Sequence, residues 1–84
     1  MHSCQWRVND TVAYELMRAE AGILSRSLLI SIRDDESMAQ YARRELIEVR
    51  RDSAFVDGYD RHAVDALAAR FRSRSAELSG GSRA

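Results

Sequence analysis

The sequence contains no proline and a single cysteine, and each shortage argues against a class of structure. Because proline breaks helices and shapes loops, its absence from 84 residues favours long uninterrupted helices over a turn-rich β fold. The lone Cys4 cannot form an intramolecular disulfide, so we expect a protein of the reducing cytoplasm. No apolar run approaches the roughly 20 residues of a membrane-spanning helix, and the first residues lack the continuous apolar stretch of a signal peptide.

Net charge is also lacking, because 13 arginines balance 13 acidic residues. This balance argues against a chain dominated by electrostatic attraction to nucleic acid or to anionic lipid. The charge is unevenly distributed, with eight acids and four arginines in residues 34–60 but two acids and five arginines in residues 61–84. If these segments form an antiparallel helix pair, we expect their opposite charges to neutralise each other within the fold.

A first helix is predicted over about residues 11–33, after the capping residues Asn9 and Asp10. Residues 1–9 are predicted to be an extended arm that attaches Trp6 to the helices. The helix pattern gives one wide apolar face, made of a stripe and a second apolar set beside it. The stripe comprises Val12, Leu16, Ala19, Ile23 and Ile30, and the neighbouring set comprises Met17, Leu24 and Leu28.

Residues 27–33 leave an alternative open, because Leu28, Ile30 and Ile32 also alternate as in a strand and Gly22 lowers helix propensity just before them. A strand here followed by two helices would resemble the ribbon-helix-helix DNA-binding fold, in which paired strands of two subunits enter the major groove. A small transcriptional regulator of that type is therefore the alternative functional hypothesis.

Two further helices are predicted, over about residues 35–52 and 60–78. Asp60 is expected to cap the last of them, and the apolar Phe55 and Val56 between the two helices are expected to plug the end of the core. The stripe of the second helix is Met38, Ala42, Leu46 and Val49, and that of the third is Val64, Leu67, Phe71 and Leu78.

These elements predict an all-α fold, either a small three-helix bundle or a long helical hairpin with a third helix across it. We expect one domain over residues 1–79 and a flexible Gly/Ser tail over residues 80–84. A single core of this size stabilises a fold by only a few kcal/mol, so a homodimer is a further expectation.

Catalytic and metal-binding patterns are not found in the sequence. A structural zinc site needs about four ligands, usually in closely spaced pairs, whereas His2, Cys4 and His62 are scattered. The acidic run at residues 34–36 is explained by the positive end of a helix dipole. There is no glycine-rich phosphate loop. We therefore expect a protein that is not an enzyme and that binds no metal or cofactor.

The preferred hypothesis is a small regulator or inhibitor that occupies a surface of a partner protein. Antitoxin-like proteins and viral inhibitors such as anti-CRISPR proteins are examples of this class. Tyrosine, tryptophan and arginine dominate interface hot spots, although aromatic side chains are more often buried in a protein's own core or in a homodimer. The predicted partner-binding residues are Trp6, Tyr41, Arg43, Arg44, Tyr59, Arg70, Arg72 and Arg74.

Nucleic-acid binding by the last predicted helix is the competing use of its arginines. Arg70 and Arg74 are one helical turn apart and share a face, whereas Arg72 points elsewhere. Together with Arg61 they could contact phosphates, and the affinity would then fall steeply with salt concentration.

Overall fold

The computed structural model describes residues 8–81, which form three α-helices and no strand. The helices are α1 (Val8–Asp34), α2 (Ala39–Phe55) and α3 (Arg61–Gly81), and a single 3₁₀ turn (Glu36–Met38) precedes α2. The all-α prediction is thus confirmed. Trp6 and residues 82–84 of the predicted tail lie outside the described residues.

The central helix is α1, which packs along both of the others, whereas α2 and α3 approach each other closely at only a few points. Ion pairs give the directions of the helices. Arg61 lies beside Asp10 and Arg72 beside Glu20, so α3 runs parallel to α1. The ion pairs between α2 and α3 join residues in the reverse order along the two helices, because Arg70 pairs with Asp52 and Arg74 with Glu45. These two helices are therefore antiparallel. The protein measures 53 × 23 × 15 Å, so it is elongated and thin, and much of each helix faces outward.

The core lies where α2 and α3 meet the same side of α1. Its largest fully buried side chains are Phe71, Met17, Leu24, Leu28 and Val64. The predicted stripes of the second and third helices are largely confirmed, since most of their members are buried and Leu67 and Leu78 pack against the core from its margin. Met38 is the exception, because it lies in the 3₁₀ turn and is about half exposed.

The wide apolar face predicted for α1 was right only for its second set, since Met17, Leu24 and Leu28 are buried and the stripe beside them is not. Ala13, Met17, Ala21, Leu24 and Leu28 face the core instead, and the predicted stripe remains on the outside. The two sets lie about 100–140° apart around the helix, so either could have been chosen from periodicity. The buried set contains two alanines. Because interaxial distance depends on the side chains at the contact, these small residues allow α2 and α3 to approach α1 closely.

Residues 27–33 are helical and belong to the last two turns of α1. The strand on which the ribbon-helix-helix alternative depended is therefore replaced by helix at that position. The physical reason is burial, since Leu28 is almost fully buried and Ile32 partly buried on the core side, as helical spacing requires.

Aspartate side chains accept hydrogen bonds in both connections, the one between α1 and α2 and the one between α2 and α3. The Asp35 carboxylate accepts hydrogen bonds from the backbone N–H of Ser37 at 3.2 Å and from its hydroxyl at 2.6 Å, which starts the 3₁₀ turn. The predicted cap of α3 is confirmed, because Asp60 accepts a hydrogen bond from the backbone N–H of Ala63 at 3.1 Å. Between the helices, Asp57 accepts one from the N–H of Tyr59 at 2.9 Å.

All three helices differ from their predicted bounds. α1 begins at Val8 instead of near residue 11, inside the predicted arm, and α2 begins at Ala39 instead of near residue 35 because a 3₁₀ turn precedes it. α2 continues to Phe55 instead of ending near residue 52, and α3 continues to Gly81 instead of ending near Leu78. Within residues 8–81, no helix has the length and apolar character needed to cross a membrane.

Candidate protein-binding surface

The outer side of α2 carries three large exposed apolar or aromatic side chains. Since Ala39, Ala42, Leu46 and Val49 face inward, the 3.6-residue repeat turns the other half of the helix to solvent. Tyr41 is 67 % exposed, Ile47 63 % and Phe55 81 %. Scattered exposed apolar residues are ordinary on protein surfaces, but here three of them share one face of a single helix.

Four exposed arginines also belong to α2: Arg44 and Arg51 lie on this outer side, and Arg43 and Arg50 lie at its edge, one turn from the buried Ala39 and Leu46. None of them forms an ion pair with another residue in the range 8–81, whereas α2's Glu45 and Asp52 are paired with arginines of α3. The exposed Glu48 lies one turn from both Arg44 and Arg51, and it is the one acid of α2 that is unpaired within residues 8–81. Four arginines against this one acid leave the exposed surface of α2 locally positive although the chain has no net charge. We call these four arginines, together with Tyr41, Ile47 and Phe55, the α2 face.

The arginines of α3 have a different role, because each forms ion pairs within the fold. Arg74 donates hydrogen bonds to both carboxylate oxygens of Glu45, at 2.8 and 3.0 Å, and to Glu77 at 3.0 Å. Arg70 pairs with Asp52, and Arg72 pairs with Glu20 at 3.3 Å. The expected neutralisation between helices therefore occurs, although the acids that supply it are not those of the run at residues 34–36.

The hydrogen bonds from Arg74 to Glu45 raise the pKa of the Arg74 guanidinium above its ordinary value, and the pair with Glu77 adds to this. Arg61 behaves similarly. Its hydrogen bonds to Asp65 and then to Asp10 raise the pKa of its guanidinium. Both side chains stay charged at every accessible pH, so these contacts respond to salt but not to the protonation of the arginine.

The eight predicted partner-binding residues thus fall into four groups. Tyr41, Arg43 and Arg44 lie on the α2 face. Tyr59 lies in the turn after α2 and is 68 % exposed. Arg70, Arg72 and Arg74 are held by acids of their own chain, and Trp6 lies outside the described residues.

Phe55 was not predicted as a surface residue because α2 was predicted to end near residue 52. Placed in a connection, an apolar Phe55 is expected to cover the core, and that expectation was wrong. Val56 does pack partly against the core, as predicted. The available signal was the helix period itself. Had the helix been continued by one turn, Phe55 would have fallen on the side opposite Ala42 and Leu46.

A cleft of about 220 Å³ lies between α2 and α3, with the Arg70–Asp52 and Arg74–Glu45 pairs at its walls and Phe71 at its base. These two pairs leave one charged group of the lining over, because Glu48 also borders the cleft and forms no ion pair within residues 8–81. In the part of the chain that the structure describes, no group of three or more His, Cys, Asp or Glu side chains could hold a metal ion. His62 is exposed in the first turn of α3.

The outer side of α1 is a second exposed apolar surface. Val12, Leu16, Ile23 and Ile30 are each between 43 % and 54 % exposed, and Ala19 lies among them. We call these five residues the α1 stripe. They lie within about 60° of one another around the helix and run along about 27 Å of it.

No protein-family model, no curated protein and no solved structure matches the chain. The α2 face and the α1 stripe are therefore the features of the described residues that bear on function.

Proposed function

We propose that the protein is a small non-catalytic regulator or inhibitor that binds a partner protein through the α2 face. The observation that carries the proposal is the combination, on one helix, of four arginines without ion pairs in residues 8–81 and three exposed apolar or aromatic side chains. Arginine and tyrosine are over-represented in interface hot spots, and a ring of polar groups around apolar anchors is typical of interfaces.

The chemistry of the face indicates the chemistry of the partner. Arg44 and Arg51 are seven residues apart, so they point in nearly the same direction two turns apart, with Ile47 beside them. Such spacing fits carboxylates displayed on a partner surface, because each guanidinium can bind a carboxylate through two hydrogen bonds. Phe55 and Tyr41, near opposite ends of α2, would enter apolar depressions. A partner with an acidic patch around apolar pockets is therefore expected.

An antitoxin-like protein or a viral inhibitor of a host complex, such as an anti-CRISPR protein, would act in this way by covering a working surface of its target. The proposed setting is the cytoplasm. Such a role requires no reaction at the α2 face, only shape and charge complementarity, which would also accelerate association with an acidic target.

The test is affinity capture from a host lysate, with and without nuclease, followed by identification of the captured proteins. The informative variant is Arg44→Glu/Arg51→Glu, and its matched control is Arg18→Glu/Arg33→Glu on α1, which changes the net charge equally. We expect one stoichiometric protein that the wild type and the control capture after nuclease treatment and that the α2 variant does not.

A purified complex then allows a sharper measurement by calorimetry. Phe55→Ala is expected to weaken binding by about 2 kcal/mol, roughly 30-fold, if Phe55 is an anchor. Equal capture by both charge variants would place the interface elsewhere. Recovery of nucleic acid, with any protein lost after digestion, would instead favour nucleic-acid binding by the α2 arginines.

A further inference from the structure

We propose that the α1 stripe is the interface with a second copy of this chain, and that the two α1 helices pair antiparallel. The α1 stripe lies on the outer side of α1, turned away from the core, and the proposed dimer does not depend on the α2 face. The stripe is available for association because its aliphatic side chains remain about half exposed after α2 and α3 have packed against α1.

The spacing of the stripe is that of a two-helix seam. From Val12 the outward residues follow at intervals of four, three, four, three and four, which is the heptad repeat of paired helices. They are Val12, Leu16, Ala19, Ile23, Arg26 and Ile30. The core side of α1 has its own apolar set, so this second repeat is not required by the packing of the single chain.

The charges beside the stripe favour an antiparallel pair. Glu15 flanks it near the start of α1 and Arg26 lies in it near the end, and neither forms an ion pair within residues 8–81. In a parallel pair each charge would lie close to its own counterpart. In an antiparallel pair with its twofold axis between residues 19 and 23, Glu15 of one copy lies beside Arg26 of the other.

The same twofold axis also brings the apolar residues of the two copies into contact. Val12 then packs against Ile30 of the second copy, and Ala19 packs against Ile23. Each contact occurs twice, as the symmetry of a dimer requires. Leu16 of the first copy packs on the aliphatic part of Arg26 of the second copy, and the guanidinium of that Arg26 reaches Glu15 of the first copy.

Gly22, near the middle of the proposed helix pair, provides independent support for it. A glycine inside a helix destabilises it, yet a Cβ added at Gly22 would meet nothing within 4 Å, so packing of the single chain does not call for glycine. In the antiparallel pair the two Gly22 residues lie close to the twofold axis. A residue without a side chain there lets the two helix backbones approach closely.

The first test is sedimentation of the purified chain from about 1 µM to about 1 mM, since a seam of this size is expected to associate in the micromolar range. Ile23→Arg should weaken the dimer by about 100-fold or more, because it sets unpaired charges against each other in the seam. The matched control is Ile47→Arg, which makes the same change on the α2 face and should leave the dimer unchanged. A monomer at every concentration would overturn the proposal, as would a dimer that only Ile47→Arg disrupts.

Gly22→Leu separates loss of the interface from loss of the fold. Because its Cβ has open space in the single chain, the substitution should raise the thermal stability of the monomer while weakening the dimer at least tenfold. A dimer that Gly22→Leu strengthens would contradict the close approach of the two backbones.

Cysteine cross-linking in a Cys4→Ser background tests the orientation. Val12→Cys and Ile30→Cys chains should each stay uncross-linked alone and should form a disulfide when mixed, because a disulfide needs Cα atoms within about 7 Å. Efficient cross-linking of Val12→Cys with itself would show a parallel pair and overturn the antiparallel arrangement.

Discussion

Phe71 and Phe55 allow one substitution to be compared in two environments. Phe71 on α3 is 1 % exposed and lies at the junction of the three helices, whereas Phe55 at the end of α2 is 81 % exposed. Replacing a buried phenylalanine by alanine removes its transfer free energy and leaves a cavity, which costs about 3–5 kcal/mol. The same replacement at an exposed position is expected to change stability by no more than about 0.5 kcal/mol.

The stability expected to be lost in Phe71→Ala is large for a protein of this size. At roughly 0.05–0.15 kcal/mol per residue, 84 residues give a total stability of about 4–13 kcal/mol. Phe71→Ala therefore removes about a quarter or more of it and could unfold the chain. Phe71→Leu keeps most of the volume and should cost only about 1 kcal/mol, so it provides a folded intermediate in the series.

The assay is urea unfolding followed by circular dichroism, with the free energy of unfolding and its dependence on urea fitted for each variant. Measurements at two protein concentrations separate the stability of the chain from any contribution of association. We expect the order wild type and Phe55→Ala together, then Phe71→Leu, then Phe71→Ala. A loss for Phe55→Ala as large as that for Phe71→Ala, or near-wild-type stability for Phe71→Ala, would refute the assignment of core and surface.

Three further changes test individual contacts by the same unfolding assay. Ser75 is buried and its hydroxyl has no hydrogen-bond partner among the described residues, so Ser75→Ala should stabilise the protein by about 1 kcal/mol, and a loss would reveal a hidden partner. Asp60→Ala removes the cap of α3 and should cost about 1 kcal/mol, while Asp60→Asn should restore most of it. A double-mutant cycle of Arg74→Ala and Glu45→Ala should give a coupling of about 1 kcal/mol that shrinks in high salt, because the pair is partly exposed; a salt-independent value would contradict this.

The fold was predictable because its signals are local. Asp60, the Val64 to Leu78 stripe and the absence of proline specify α3 and the helical class without any knowledge of neighbours. The choice of core face on α1 was not predictable in this way. Leu16 and Leu24 have equal hydrophobicity and equally good helical spacing, and only the packing of α2 and α3 decides which of them is buried.

The candidate surfaces were predicted in part for a related reason. Tyr41, Arg43 and Arg44 were recognised from residue type, and their exposure follows from the stripe of α2. Phe55 was missed because exposure of an apolar residue depends on where the helix ends, and helix ends are poorly specified by pattern alone. The pairing of α3's arginines with particular acids depends on the relative rotation of the helices, which the sequence does not reveal.

The central position of α1 has a consequence for local opening of the chain. Since α2 and α3 approach each other closely at only a few points, either one can separate from α1 while breaking few contacts with the other. Opening of α1, by contrast, exposes the apolar faces of all three helices at once. Amide hydrogens in the middle of α1 should therefore exchange with solvent only through global unfolding, while those of α2 exchange through smaller and more frequent openings.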